Sequence, residues 1–266
     1  LYGLRTSGKR WAEKLADCLR QLGFAQCKAD PSIWMRLSKD KKSYEYIATY
    51  VDDLLLAMQQ PEEVIEALTN RFKFKLKGTG PVAFHLGIEY FRDETGTLCM
   101  SPRRFVDKVI AEYEQLFGSK PKEHSAPLPG GSHPELDVSE YLDETGIRQY
   151  QSIVGSLQWA VTIGRSDISP AVVTLSSFRA APRRGHLEAA KHVCGYLGKM
   201  RHGMIRIRTG RPDYSGIPNP EYEWESTVYG RAHEVIPRDI PTLLGCPLVL
   251  TTYVDANLYH DMLTGR

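Results

Sequence analysis

Two adjacent carboxylates, Asp52 and Asp53, follow Tyr50 and Val51 where two apolar runs must reverse direction. A two-residue hairpin loop favours Asn-Gly, Asp-Gly or Gly-Gly, because its central positions need positive φ. Asp-Asp offers no glycine and sets like charges side by side, which repel by about 1 kcal/mol at 4 Å even in water. A local rule broken inside otherwise consistent strands points to function. Divalent metal is the compensating chemistry. Mg²⁺ takes one or two carboxylates together with substrate phosphates, and paired metals about 3.5–4 Å apart clamp both oxygens of a phosphoryl displacement. Read alone, the same residues also fit an ordinary acidic turn.

Other chemistry-bearing residues carry weaker signals. Between 179 and 208 the cations Arg179, Arg183, Arg184, Lys191, Lys199, Arg201, Arg206 and Arg208 face a single acid, Glu188. Such a segment can follow a phosphate backbone without reading bases, or be a solvated helical face. His186 and His192 stand six apart, not at the four-residue spacing of a helical zinc pair. Gly78-Thr79-Gly80-Pro81 is a turn without a phosphate-loop lysine. Trp11, Phe105 and Tyr113 fall on apolar helical stripes and read as core.

The elements that must hold these residues follow from periodicity. Trp11, Leu15, Cys18, Leu19 and Leu22 recur at helical spacing between Ser7, a plausible N-cap, and Gly23. Residues 33–37 and 44–58 are short, β-branched and aromatic, as in strands covered on both faces. Pro61, Glu62 and Glu63 open a second helix. Residues 82–91 read as a strand, 93–96 as a turn and 97–100 as its partner. From Ser101-Pro102 the pattern becomes helical, with Phe105, Val109, Tyr113 and Leu116 on one face and Gly118 at the end. Residues 119–142 are a Pro- and Gly-rich connector, and helices resume over 147–163, 167–179 and 185–200. A polar stretch over 210–241 reads as a linker, and 248–254 as a buried strand.

Composition narrows the class. The 266 residues are 42% hydrophobic and 25% charged, which excludes disordered and collagen-like chains. The net charge of +2 does not itself announce nucleic acid. Five scattered cysteines without a CxxC pair suit a reduced, intracellular protein, and no apolar run reaches the roughly 18 residues of a membrane span.

Tyr50-Val51-Asp52-Asp53 resembles the catalytic motif of reverse transcriptases, and its surroundings resemble the copia-type (Pseudoviridae) LTR retrotransposon enzymes. Leu1-Tyr2-Gly3-Leu4-Arg5 with Trp11 is similar to the family segment before the catalytic hairpin, and Lys28-Ala29-Asp30-Pro31-Ser32 to the approach to its first strand. Phe84-His85-Leu86-Gly87-Ile88-Glu89 resembles the primer-grip segment. Tyr150-Gln151-Ser152-Ile153-Val154-Gly155-Ser156-Leu157 with Arg165-Ser166-Asp167-Ile168 resembles the helical region.

The resemblance implies RNA-directed DNA synthesis by the two-metal route with Mg²⁺ or Mn²⁺, acting on an RNA/DNA template–primer and dNTPs. Asp52 and Asp53 would be the catalytic, metal-side carboxylates, Tyr50 would lie near the primer terminus and Val51 on the nascent duplex. Gly3 and Arg5 would face template or nucleotide, with Arg5 in place of the family's usual Lys and Thr6 in place of its common Gln. Leu86 and Gly87 would form the primer grip. Arg179, Arg183, Arg184, Lys191, Lys199 and Arg201 would hold the nucleic-acid backbone. Thr252-Tyr253-Val254-Asp255-Ala256 resembles the first strand of an RNase H domain with Asp255 as a metal ligand, although Asn257-Leu258 departs from the usual Asp-Trp.

The expected architecture is an α/β palm over 1–100, a helical thumb and connection over 101–203, a linker over 204–246 and the opening of an RNase H-like domain over 247–266. Both ends read as cut from a longer polyprotein. A further catalytic Asp would precede Leu1 and the remaining RNase H carboxylates would follow Arg266, so these residues alone are expected not to polymerise. The family setting is intracellular, in a cytoplasmic virus-like particle or the nucleus, with no membrane. A degenerate or co-opted copy that binds nucleic acid without catalysis is one alternative, and an unrelated metal-dependent phosphohydrolase another.

Overall fold

A computed structural model describes residues 6–210, 213, 215–216, 226, 228, 230, 235, 237–244 and 262–263. The chain divides into two compact units, one within residues 1–81 and the other within 82–213, each joined by later segments. Mixed α/β content is as expected. The division falls at Pro81, so the strands at 84–101 group with the helices and not with the first part of the chain.

In the first unit, helix α1 (Ser7–Gln21) turns Leu15, Cys18 and Leu19 into the core and stops where Gly23 takes φ +85. Strands β1 (Ala25–Gln26), β2 (Ile33–Leu37), β3 (Tyr44–Tyr50) and β4 (Asp53–Ala57) form an antiparallel sheet in the order β1-β2-β3-β4. Trp34 and Ile47 are buried against α1, whereas Tyr46 and Leu37 remain exposed. The sheet is therefore not covered on both faces by the described residues. Arg36 and Glu45, register partners on β2 and β3, form a 2.6 Å ion pair, and the guanidinium also donates to the Leu22 carbonyl. That network ties the sheet to the end of α1. Helix α2 (Pro61–Glu66) runs into a π-helical turn, Ala67–Arg71, and buries Val64 and Leu68 in the same core.

The second unit opens with a hairpin where the sequence predicts one strand. β5 (Phe84–His85) and β6 (Ile88–Arg92) are separated by Leu86 and Gly87, both at positive φ, which no continuous strand accommodates. β7 (Leu98–Ser101) and β8 (Ile205–Ile207) complete a sheet ordered β5-β6-β7-β8. Helix α3 (Arg103–Phe117) buries Val106, Val109, Ile110 and Tyr113, while Phe105 is only partly buried and Leu116 is exposed. Val109 and Tyr113 are buried as expected, whereas Val106 and Ile110 take the inward places expected of Phe105 and Leu116. Helices α4 (Glu144–Thr162), α5 (Ser169–Ser176) and α6 (Arg184–Lys199) surround Tyr150, Leu157, Leu175 and Leu197. Asp143 caps α4 by accepting from the Gly146 N–H at 2.8 Å. The predicted strand at 248–254 lies outside the described residues.

Candidate functional site

The β3–β4 turn consists of Val51 and Asp52, because Tyr50 pairs with Asp53 across it. The reversal is therefore one residue earlier than the Asp52-Asp53 position expected, and Asp53 is the first residue of β4. Val51 has φ +54 while Asp52 does not, the pattern of a type II′ turn, whose first central position ordinarily belongs to glycine. A β-branched residue there is held against its preference at a cost of about 1–3 kcal/mol. Val51 is 75% exposed, so apolar burial does not offset that cost.

Strand alternation assigns the faces. Thr49, Leu54, Ile47 and Leu56 share the core-facing side, and Tyr50, Asp53, Ala48 and Leu55 share the other. Asp52, in the turn, lines a cavity of about 830 Å³ together with Trp11, Leu15 and Trp34. Both carboxylates are solvent-exposed. Two adjacent exposed carboxylates fit part of the oxygen donor set of a hard divalent ion, which completes its shell with water and phosphate oxygens. Among the described residues no group of three or more His, Cys, Asp or Glu side chains could hold a metal.

A second irregular hairpin tip is formed by Leu86 (φ +51) and Gly87 (φ +87). Positive φ at both central positions is the type I′ pattern. A Cβ on Gly87 would stand 3.7 Å from Ile163 Cδ1 and 3.9 Å from Trp159 Nε1, so this tip lies against the end of α4. Beside it the Arg104 guanidinium donates to Glu89 at 2.7 Å and lies 5.4 Å from the centre of the half-exposed Phe84 ring.

The Arg165-Ser166-Asp167-Ile168 landmark is an ionic corner in which Arg165 is buried and the Asp167 carboxylate is exposed. Arg165 is 1% exposed and donates twice to Asp167, at 2.9 and 2.7 Å. The Tyr196 hydroxyl on α6 donates to the same carboxylate at 2.9 Å. Burial alone would raise the Asp167 pKa, but the Arg165 hydrogen bonds and charge, with Tyr196, outweigh it and hold the group below its ordinary value.

Residues 1–124 match the family described as reverse transcriptase (RNA-dependent DNA polymerase). The chain is 32% identical over 216 residues to the putative transposon Ty5-1 protein YCL074W of Saccharomyces cerevisiae, covering 79% of this chain and 66% of that one. It is 33% identical to the retrovirus-related Pol polyprotein from transposon RE1 of Arabidopsis thaliana, covering 77% of this chain and 14% of the relative. With the corresponding polyprotein from transposon TNT 1-94 of Nicotiana tabacum it shares 27%, covering 74% and 15%. The chain belongs to the copia-type reverse transcriptases. It spans about two thirds of the yeast relative and about one seventh of the two plant polyproteins. No solved structure matches it.

Within this reverse transcriptase chain the predicted basic face is divided among local partners. Arg184 pairs with Glu140 at 3.2 Å, Lys191 with Glu188 at 2.7 Å and Arg201 with Asp107 at 3.8 Å. Arg179 donates to the Gln158 side chain and Lys199 to Ser125. Arg183 donates to the Ser139 carbonyl and lies 3.9 Å from the centre of the Tyr141 ring. Arg184, Lys191 and Lys199 share one side of α6, where helical spacing puts them, but the 119–128 connector runs along that side. His124 stacks on His192 at 3.5 Å, and the Lys122 carbonyl occupies the space that a Cβ on Gly195 would need.

Gly3, Arg5 and Asp255 lie outside the described residues. A basic run at 71–77 is also legible in the sequence: four cations alternate with apolar residues, and no acid occurs between Glu66 and Glu89.

Proposed function

We propose that this chain is the catalytic-hairpin part of an RNA-directed DNA polymerase encoded within a retrotransposon polyprotein. The observation that carries the reading is the exposed turn in which Val51, at positive φ, presents Asp52 and aligns Asp53 with Tyr50. In this reading the first unit belongs to a palm, and the helical unit to a thumb and connection. Residues after 246 open an RNase H-like domain that includes Asp255. Mg²⁺ or Mn²⁺ bound at Asp52 and Asp53 would stabilise charge on the primer oxygen and the transferred phosphate. Asp52 and Asp53 supply oxygen donors, Tyr50 presents its ring on the Asp53 side of the sheet, and Val51 offers an apolar surface to the nascent duplex. Leu86 and Gly87 hold the primer, while Gly3 and Arg5 contact template and nucleotide. The template–primer, dNTPs and the rest of the polyprotein are the partners.

Primer extension on an RNA template tests the reading, using a longer protein that includes the polypeptide N-terminal to residue 1. Asp52→Asn is expected to lower incorporation by at least about 100-fold, the loss of several kcal/mol of transition-state stabilisation. Incorporation equal to that of the parent would overturn the assignment.

A further inference from the structure

Arg71, Lys73, Lys75 and Lys77 make a cationic surface in which no side chain has an acidic partner among the described residues. Phe72, Phe74 and Leu76 are half-buried and packed against the core of Leu15, Leu19 and Leu68, whereas Arg71, Lys73, Lys75 and Lys77 are all exposed. The segment is seated by a hydrogen bond from the Phe74 N–H to the Leu68 carbonyl at 2.9 Å. Lys73 takes φ +60, a conformation that a long unbranched side chain rarely adopts in a free chain. None of the four cations forms an ion pair among the described residues. Arg71 donates to the neutral Gln21 side chain at 3.1 Å and stacks its guanidinium 4.7 Å from the Phe72 ring centre. Lys14 adds a fifth cation from α1, its ammonium 4.8 Å from the Phe74 ring centre. The basic residues at 179–201, by contrast, are engaged locally, several of them by carboxylates.

We infer that Arg71, Lys73, Lys75 and Lys77 form a track for the phosphate backbone of a nucleic-acid strand, with Lys14 at its side. The inference rests on the polymerase reading for the choice of ligand. The physical basis is the two-residue repeat: Phe72, Phe74 and Leu76 are anchored in the core and leave the intervening cations exposed. Uncompensated charge favours a polyanion, and the row offers no base-reading amides, so it grips the backbone and not the sequence. A rigid seat lowers the conformational cost of holding the lysines in line.

Binding of this 266-residue chain to fluorescent RNA–DNA duplex and to single-stranded RNA, measured by anisotropy across a salt series, tests the track. For duplex, replacing Lys73, Lys75 and Lys77 by Gln is expected to lower the log–log salt slope by about 2.7, at about 0.9 per phosphate released. The loss should be equal for unrelated sequences, and Arg at all three positions should restore the slope. A triple Gln variant that remains folded by circular dichroism and keeps the parental slope on both nucleic acids would overturn the track. Absence of binding by the parent would overturn it as well. Neither result would alter the outcome of primer extension with Asp52→Asn, so failure of the track and failure of the polymerase reading are separable.

Discussion

Tyr50 and Asp53 are direct partners across the β3–β4 turn and project from the same face of the sheet. Asp52 does not share that face by strand alternation. It belongs to the turn and lines the same cavity as Trp11 and Trp34. The two carboxylates, adjacent in sequence, are therefore presented by different backbone geometries, with Asp53 set by strand register and Asp52 by the φ of Val51. A one-residue register slip would exchange the faces of the strand residues and carry Asp53 toward the core side.

The strain at Val51 leads to a stability prediction. Asn tolerates positive φ far better than a β-branched residue, and little packing is lost at so exposed a position. Val51→Asn should raise the unfolding free energy of the first unit by about 0.5–1 kcal/mol. In the longer protein it should lower incorporation, because the apolar surface of Val51 is removed. Urea unfolding monitored by the buried Trp34 measures the first effect, and a destabilised variant would show that Val51 is not strained.

Two helical glycines should respond in opposite directions to the same substitution. Gly155, within α4, has nothing within 4 Å of an added Cβ, so Gly155→Ala should stabilise by about 0.8–1 kcal/mol through helix propensity. Gly195, within α6, would place its Cβ 1.8 Å from the Lys122 backbone carbonyl. Gly195→Ala should displace the connector, separate His124 from His192, and cost at least about 2 kcal/mol despite the same propensity gain. Denaturant midpoints of the two variants check the contrast, and a stabilised Gly195→Ala would refute the close crossing.

The Asp167 carboxylate predicts a pH signature. Its pKa is held down in the folded protein, with the Arg165 interactions outweighing burial, so its contribution is complete above the unfolded value near 3.9 and is lost as pH falls through the folded value. Asp167→Asn should cost about 1 kcal/mol at pH 7, because Arg165 is buried but the carboxylate it pairs with is partly screened by solvent. The difference from the parent should shrink as both are taken below pH 4. A difference independent of pH would mean that the Asp167 charge does not support the corner.

Much of the fold was legible because burial imposes a period. The α1 stripe of Leu15, Cys18 and Leu19, the strands around Trp34 and Ile47, and the Pro61 helix start all follow from local spacing and end signals. The anomaly at Asp52-Asp53 was also visible, since turn chemistry names the residues a hairpin should contain and these are not among them. The hairpin at Leu86-Gly87 was missed because an apolar run does not reveal its own reversal when leucine accepts positive φ under tertiary constraint. On α3, Val109 and Tyr113 face inward as their spacing predicts, but Val106 is buried in place of Phe105, because both are apolar and only the neighbouring helices select between them.

The basic segment over 179–201 shows the same boundary between local and tertiary information. Sequence counts charge, but whether a cation is available depends on what folds beside it, and Glu140 and Asp107 come from distant positions to meet Arg184 and Arg201. At 71–77 composition alone held the signal, yet its meaning required knowing that Phe72, Phe74 and Leu76 are anchored. Sequence by itself determined the chemistry on offer, the adjacent carboxylates and the family's landmarks, because residue type and local spacing are covalent facts. Only the tertiary structure decided which carboxylate sits in the turn and which cations stay unpaired, because faces, registers and partners are set by packing between segments far apart in the chain.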